Sequence, residues 1–414
     1  MTPRPALVGQ AALLLAELLR FSGPADQTVS RYFRAHRNFG RQDRAFIAEA
    51  VYAVLRRRRS LQAAAGSASP RDLVLAALGR VLGYSGRALE PVLRAGEAGL
   101  VGKIRSFDPA RLAAAERADL PDWLWERLVA EQGAEEARRI AQGLLEAAPL
   151  DLRVNLAKRS REEALAQLEL AAAPTPYSPA GLRLEGKPAI NRHPLFLDGS
   201  LEVQDEGSQL LAYLLAPRRG EMVADFCAGA GGKTLALSML MRGSGRLYAM
   251  EVSARRLQAL AARAARAGVS NVHPIALSGE NDIRAKRLAG KLDRVLVDAP
   301  CSGFGTLRRN PDLKWRHGPE TVERLAPKQL AILRAAARLL KPGGRLVYAT
   351  CSILARENDA VADRFLCVHT EFAPVSCAAL LAAQRIALDT GERLRLWPHR
   401  HGTDGFFAAA FERR

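Results

Sequence analysis

From Gly207 to the C-terminus, short apolar runs alternate with amphipathic stretches, and that alternation admits few folds. Glu221–Phe226, Gly245–Met250 and Val272–Ala276 read as strands, separated by helical spacing over Thr234–Arg242 and Ser253–Ala267. Two further runs, Arg294–Pro300 and Gly344–Thr350, follow, and Phe406–Phe411 closes the pattern. Strands covered on both faces read as continuous apolar runs, and strands joined through helices pair in parallel. The pattern predicts a doubly wound, Rossmann-like α/β sheet. Ligands of such sheets lie outside the carboxyl ends of the strands. Two of those ends carry cysteine tripeptides, Pro300-Cys301-Ser302 and Thr350-Cys351-Ser352. Thiols at neighbouring strand ends would face one crevice, which is a site for thiol chemistry on a substrate.

The first third of the chain follows a different rule. Leu13, Leu14, Glu17, Leu18 and Phe21 follow helical spacing up to Ser22-Gly23-Pro24, and Asp43–Leu55 puts Phe46, Ile47, Ala50, Val51, Val54 and Leu55 on one face. That second helix is expected to run into Arg56-Arg57-Arg58-Arg59. Cations at a helix C-terminus are favoured by its dipole. With Arg31, Arg34, Arg37, Arg41 and Arg44 upstream, the quartet also suits contact with RNA phosphates, the preferred reading. Asp119 or Asp122 would cap a helix bearing Trp123 and Trp125, two rings expected to pack rather than to stack on bases. From Leu150 the period changes: Asp151–Asn155 and Leu182–Glu185 alternate like strands around a short helix at Ser160–Leu170. The expected organisation is an all-α domain over 1–147, a small α+β module over 148–200 and a catalytic domain over 201–414.

Charge narrows the partner. The chain of 414 residues has 61 Lys and Arg against 43 Asp and Glu, a net charge of +18. A surplus of that size points to a polyanion, and RNA is the expected partner. The five cysteines form no CxxC pair and no Cys/His zinc spacing, so no metal is expected, and the odd count fits a reducing cytosol. The apolar stretch Leu7–Leu19 lacks a cleavage site, no segment has the length of a membrane span, and a cytoplasmic monomer is expected.

The loop Asp225-Phe-Cys-Ala-Gly-Ala-Gly-Gly-Lys-Thr234 lets backbone approach a ligand closely. A phosphate-binding loop would need glycine where Cys227 stands, and a dinucleotide fingerprint would need glycine where Thr234 stands. Both patterns fail by one residue. A nucleoside ligand not led by phosphate, S-adenosylmethionine, is the remaining option. Glu251, at the end of the next strand, could accept both ribose hydroxyls; as a helix N-terminal acid it would have a purely structural reading.

At these residues the chain resembles the RsmB/Sun (Fmu) family of RNA 5-methylcytosine methyltransferases. The matching stretches are Val203–Leu210, Asp225–Thr234, Asp298–Gly303 with Leu307–Asp312, Lys341–Ser352 and Gly405–Phe407, together with Asp43–Leu55 of a NusB-like helical domain. The resemblance implies a class I methyltransferase domain behind a NusB-like domain and a small RNA-binding module. It implies S-adenosylmethionine held by Cys227, Ala228, Gly229, Ala230, Gly231, Gly232, Lys233, Glu251, Asp282 and Asp298. It also implies that Cys351 attacks C6 of cytosine and Cys301 assists proton removal and release, with Lys233 and Asp298 beside the base. The family usually has Asp at position 251, and its adenine-side acid falls in Gly279–Asp282, where Asp282 is chosen. Phe304 also departs from the pattern, without an assigned role. The implied substrate is 16S rRNA. A tRNA cytosine-5 methyltransferase, a non-catalytic ribosome-assembly factor and, more distantly, a nicotinamide dehydrogenase are the alternatives.

Overall fold

The computed structural model describes residues 3–414. Its contacts divide the chain into two compact units: residues up to Ala147 with Thr306–Glu320, and Ala148–Gly305 with Thr321–Arg414.

The first unit is helical. Helices Pro5–Leu18, Arg41–Arg56 and Pro70–Arg80 pack with Ala25–Ala35, Arg58–Ala65 and Glu97–Ser106 around Leu14, Leu15, Ile47, Val51, Leu55 and Leu75. Each fully buried leucine or isoleucine of this set contributes about 1.5–3 kcal/mol. The arginine quartet does not extend one helix, as the sequence reading has it. One helix ends at Arg56, Arg57 leaves helical geometry (φ −124°, ψ 38°), and the next helix starts at Arg58. Arg58 and Arg59 therefore lie at a helix N-terminus, where the dipole opposes their charge. Protein groups take up three of the four. Arg56 donates to the Arg308 carbonyl (3.0 Å), Arg58 lies over the rings of Phe21 and Trp315, and Arg59 donates to the Leu120 carbonyl (2.7 Å) and Asp122 (2.6 Å).

Asp119 is not a helix cap. It is buried with φ +51°, and its carboxylate accepts the Ser60 amide (3.0 Å) and hydroxyl (2.7 Å). The helix it precedes spans Asp122–Gln132, with Trp123 and Trp125 half-buried on it.

Thr306–Glu320, which the sequence reading leaves in the catalytic domain, is knit into this helical unit. The last carbonyls of a helix have no partner within it. Here Trp315 Nε1 donates to Leu55 O (2.7 Å) and Lys314 Nζ to Arg56 O (2.8 Å), closing the end of helix Arg41–Arg56. The amide of Ala25 donates to Asp312 Oδ2 (3.2 Å). Lys314 is nearly sealed from water, and burial lowers its pKa to about 7 despite the opposing pull of Asp119.

The second unit holds two sheets. Strands β1 (Leu150–Val154), β2 (Ala172–Pro174), β3 (Gly181–Leu184) and β4 (Leu201–Val203) pair antiparallel in the order β2-β3-β1-β4. The larger sheet contains β5 (Met222–Asp225), β6 (Arg246–Glu251), β7 (Val272–Ala276), β8 (Leu292–Asp298), β9 (Leu340–Thr350), β10 (Phe372–Val375), β11 (Leu394–Leu396) and β12 (Phe406–Arg413). Its order is β10-β12-β9-β8-β5-β6-β7, with β11 also on β12. The strands β9-β8-β5-β6-β7 are parallel, while β12 runs antiparallel to β9. Alternate side chains enter opposite cores: Val295, Val297, Leu346, Tyr348 and Phe407 on one face, Leu296, Val347, Ala349 and Ala408 on the other. Covering both faces with helices accounts for the unbroken apolar runs. The chain proceeds from β5 outward to β7 and then returns to β8, so the direction of winding switches between β5 and β8. That is where a crevice opens in such sheets.

The small sheet is fastened to this crevice by buried polar groups. Glu206 accepts the amides of Tyr177 (2.6 Å) and Ser178 (2.8 Å), and Arg153 donates to Gly232 O (2.7 Å), while Arg183 and Asp151 (2.7 and 2.9 Å) tie β3 to β1 within the small sheet itself.

The Thr306–Glu320 strap gives a direct test. Trp315→Ala removes a half-buried ring and one donor, a loss of about 2 kcal/mol or more. Proteolysis within residues 3–147 is expected to accelerate while cleavage of the second unit stays unchanged. Unchanged proteolysis would remove the strap from the stability of the helical unit.

Candidate active site

The carboxyl ends of β5, β6, β8 and β9 converge on one cavity of about 710 Å³. Its wall includes Phe226, Cys227, Ala228, Gly229, Ala230, Gly232 and Lys233 after β5, and Glu251 and Val252 at β6. Asp298, Ala299, Pro300 and Cys301 contribute from β8, and Cys351 from β9. Such a volume is typical of a small-molecule site.

Both thiols are free, and their sulfurs stand 3.3 Å apart. The hydrogen bond to Cys351 and burial together push the Cys301 thiol well above the ordinary cysteine pKa, with Glu357 and Asp298 adding to the effect. Cys301 thus holds its proton tightly. Lys233 Nζ donates to Asp298 Oδ2 at 2.6 Å and lies 5.8 Å from the centre of the Phe406 ring. Burial opposes the Lys233 ammonium, but Asp298, Asp225 and Cys351 outweigh it and raise the pKa. The lysine stays a cation beside the sulfurs, where it favours a thiolate. Beneath the loop, Thr234 Oγ1 donates to the buried Asp225 (2.7 Å), whose carboxyl burial raises to about 6.

The sequence reading missed what holds the thiols together. Glu357 is fully buried and lies under both cysteine tripeptides. Its Oε2 accepts the hydroxyls of Ser302 and Ser352, each at 2.5 Å. Its Oε1 accepts the Ser302 amide (2.8 Å) and Gln329 Nε2 (3.0 Å), and the same Gln329 nitrogen reaches Pro300 O (3.0 Å). One carboxylate thus fixes the residue after each cysteine, through charge-assisted bonds that are stronger than neutral ones. A second tie joins Gly305 N to Cys351 O at 2.8 Å. A Cβ on Gly305 would stand 2.7 Å from that oxygen, so the approach requires glycine. The repeated serine of Pro-Cys-Ser and Thr-Cys-Ser was the available signal, but Glu357 itself had none.

The nucleoside end fits S-adenosylmethionine. Glu251 Oε2 accepts the Gly229 amide and Oε1 the Ser253 amide, both at 2.9 Å. Each oxygen keeps a further lone pair for a ribose hydroxyl. A Cβ placed on Gly229 would meet nothing within 4 Å, so the cavity is open directly over the loop. Two expected contacts are corrected. Asp282 is not on the cavity wall, which carries Ser278, Gly279 and Glu280 instead. The Asp282 carboxylate is spent locally on the Arg284 guanidinium, the Ser278 amide and hydroxyl, and the Arg284 amide, which hold its pKa well below the carboxylate range. Gly231 is also off the wall. With φ +90° it starts helix Gly232–Leu240, and a Cβ there would stand 2.6 Å from Leu260 Cγ. Val203, Gln204 and Ser208, which lie in a family-matching stretch without an assigned role, also line the wall, as do Arg256, Arg263 and Lys328 from flanking helices, which the sequence did not single out.

Glu357→Gln weakens the shared anchor. Crosslinking of Cys301 to Cys351 by a short bifunctional thiol reagent should slow about tenfold, with S-adenosylmethionine binding retained. Crosslinking at the original rate would show that backbone contacts alone hold the pair.

Comparison with known proteins identifies the family. The profile of the family described as 16S rRNA methyltransferase RsmB/F matches residues 212–412, and an RsmF/B-like ferredoxin-like domain matches 120–191. A probable ribosomal RNA small subunit methyltransferase B of Synechocystis is 33% identical, with 96% of this chain and 97% of that protein covered. A probable small subunit methyltransferase B of Bacillus subtilis is 35% identical over 74% of this chain and 69% of its own length. The crystal structure of PH0851 superposes with a TM-score of 0.80 at 26% identity, covering 100% of both chains. Match length, identity and the site geometry lead to one conclusion: the chain belongs to the RsmB/F family of S-adenosylmethionine-dependent ribosomal RNA methyltransferases.

Proposed function

We propose that the protein methylates C5 of a cytosine in the 16S rRNA of a bacterial small ribosomal subunit, through a covalent adduct between Cys351 Sγ and C6 of the base. The single observation that carries this reading is the pair of free thiols 3.3 Å apart on the wall of the cofactor cavity. The names of the Synechocystis and Bacillus relatives support the choice of ribosomal RNA.

C5 of cytosine is a poor nucleophile. Addition of the Cys351 thiolate to C6 saturates the 5,6 double bond and places enamine character on C5. S-adenosylmethionine, when bound, supplies an electrophilic methyl group there. C5 takes the methyl, its proton must then leave to a base, and the C6–S bond breaks to return the thiolate. Cys301 suits the base role by position: its sulfur stands 3.3 Å from Cys351 Sγ on the same cavity wall, and as a thiolate, with its own proton passed to solvent, it takes the C5 proton. Lys233 and Asp298 form an ion pair at the same end of the cavity. An aspartate can accept from the exocyclic amine of cytosine, and an ammonium can donate to a ring acceptor. The base must leave its stack to reach this pocket, as for other enzymes acting on base atoms.

Bisulfite sequencing of 16S rRNA from a strain lacking the gene should reveal one cytosine that loses its methyl group. Complementation with Cys351→Ala should fail to restore it while S-adenosylmethionine binding persists; restored methylation would reject the nucleophile. Cys301→Ala should accumulate a slow-migrating RNA–protein complex on denaturing gels, and its absence would reject the release role.

A further inference from the structure

The arginine quartet leaves one guanidinium without a task. Arg56, Arg58 and Arg59 are engaged by carbonyls, rings and a carboxylate, whereas the Arg57 side chain makes no hydrogen bond or ion pair among the described residues. Arg57 lies at the break between two helices and opens on a cavity of about 390 Å³ wholly within the helical unit. Arg80 and Arg117 share its wall with Ser60 and Phe107, and among the described residues no carboxylate lines it.

The other two guanidiniums are held in place by backbone. Arg80 Nη1 donates to the carbonyls of Ile104 (2.7 Å) and Phe107 (3.0 Å) at the end of helix Glu97–Ser106, and its plane lies over the Phe107 ring at 5.6 Å. Arg117 Nη2 donates to Leu112 O (3.0 Å) and Ala110 O (3.3 Å). Each is anchored through one terminal nitrogen, and a guanidinium has five N–H donors. The remaining donors are thus preorganised at little further entropic cost. Asp119 is the nearby acid, but it lies behind Ser60, whose amide and hydroxyl it accepts, and is not on the wall. Three cations around a concavity, two of them fixed and none neutralised by a wall carboxylate, match a phosphate, which guanidinium forks bind in bidentate fashion.

We propose that this cavity of the helical unit binds a backbone phosphate of the RNA substrate, an inference that rests on the RNA methyltransferase reading above. Phosphate contacts fix register and orientation without reading sequence. The pocket would therefore act as a grip on RNA that is separate from the site of chemistry.

The test uses the full chain and transcribed 16S rRNA, with binding measured across a salt series. Arg57→Gln combined with Arg117→Gln should weaken binding about tenfold. It should also reduce the slope of log affinity against log salt by roughly 0.7 for each phosphate that the variant no longer grips. S-adenosylmethionine binding, confined to the second unit, should not change. Arg57→Lys, which keeps charge but loses the fork, should recover part of the affinity. Arg80 is left intact because it also closes a helix end. Unchanged RNA affinity and salt slope in the double variant would overturn the proposal. So would a result in which millimolar inorganic phosphate raises the wild-type melting temperature while the variants bind RNA normally, which would assign the cavity to the free anion. Methyl transfer by wild type in the same preparations separates the two readings: its absence counts against the enzymatic reading, while the binding comparison still decides the pocket.

Discussion

A single buried carboxylate determines whether two loops from different strands form one reactive pair. Ser302 and Ser352 are 50 residues apart in sequence, yet both hydroxyls end on the same Glu357 oxygen. A buried charge is costly unless its lone pairs are satisfied. Here two hydroxyls, one amide and one side-chain amide satisfy it, so relaxing either loop would uncover part of that cost. Tyr348, itself buried within β9, donates to the Glu357 carbonyl at 2.5 Å and fixes the backbone that carries the carboxylate. The cysteines are thereby positioned from below, while their sulfurs stay on the cavity wall.

The parallel sheet supplies what this clamp cannot. Because winding reverses between β5 and β8, the glycine loop and the Asp298–Cys301 loop lie side by side, and Lys233 can reach Asp298 across them. The small antiparallel sheet braces the same region through Arg153 and the Gly232 carbonyl. Cofactor end, ion pair and thiols therefore share one continuous cavity rather than three separate sites.

Much of this was legible in the sequence, for identifiable reasons. Strands β5, β6, β8 and β9 announce themselves because both of their faces are buried, which leaves no polar alternation to confuse the reading. Cys301, Cys351 and Glu251 were legible because position at a strand end implies position at the crevice, whereas Lys233, inside helix Gly232–Leu240, was reached only through the family resemblance. Asp282 was misread because one acid among Gly279, Glu280, Asn281 and Asp282 cannot be told from its neighbours by period. Only the folded chain reveals that its oxygens cap the following turn. The arginine quartet was misread as one helix end because nothing in four identical residues marks the break at Arg57. Glu357 was invisible because Ser302 and Gln329, which it joins to the nearby Ser352, lie 55 and 28 residues away in sequence.

The strap at Thr306–Glu320 constrains how this chain can be dissected. A cut at the covalent boundary near Ala147 does not separate two self-sufficient pieces. The C-terminal fragment would carry Trp315 and Lys314 stripped of the carbonyls they serve, and the N-terminal fragment would leave a helix end bare. The helical unit depends on a segment encoded far downstream, so gene fission or modular grafting at that point would leave both pieces incomplete unless the fifteen-residue excursion travelled with the helices.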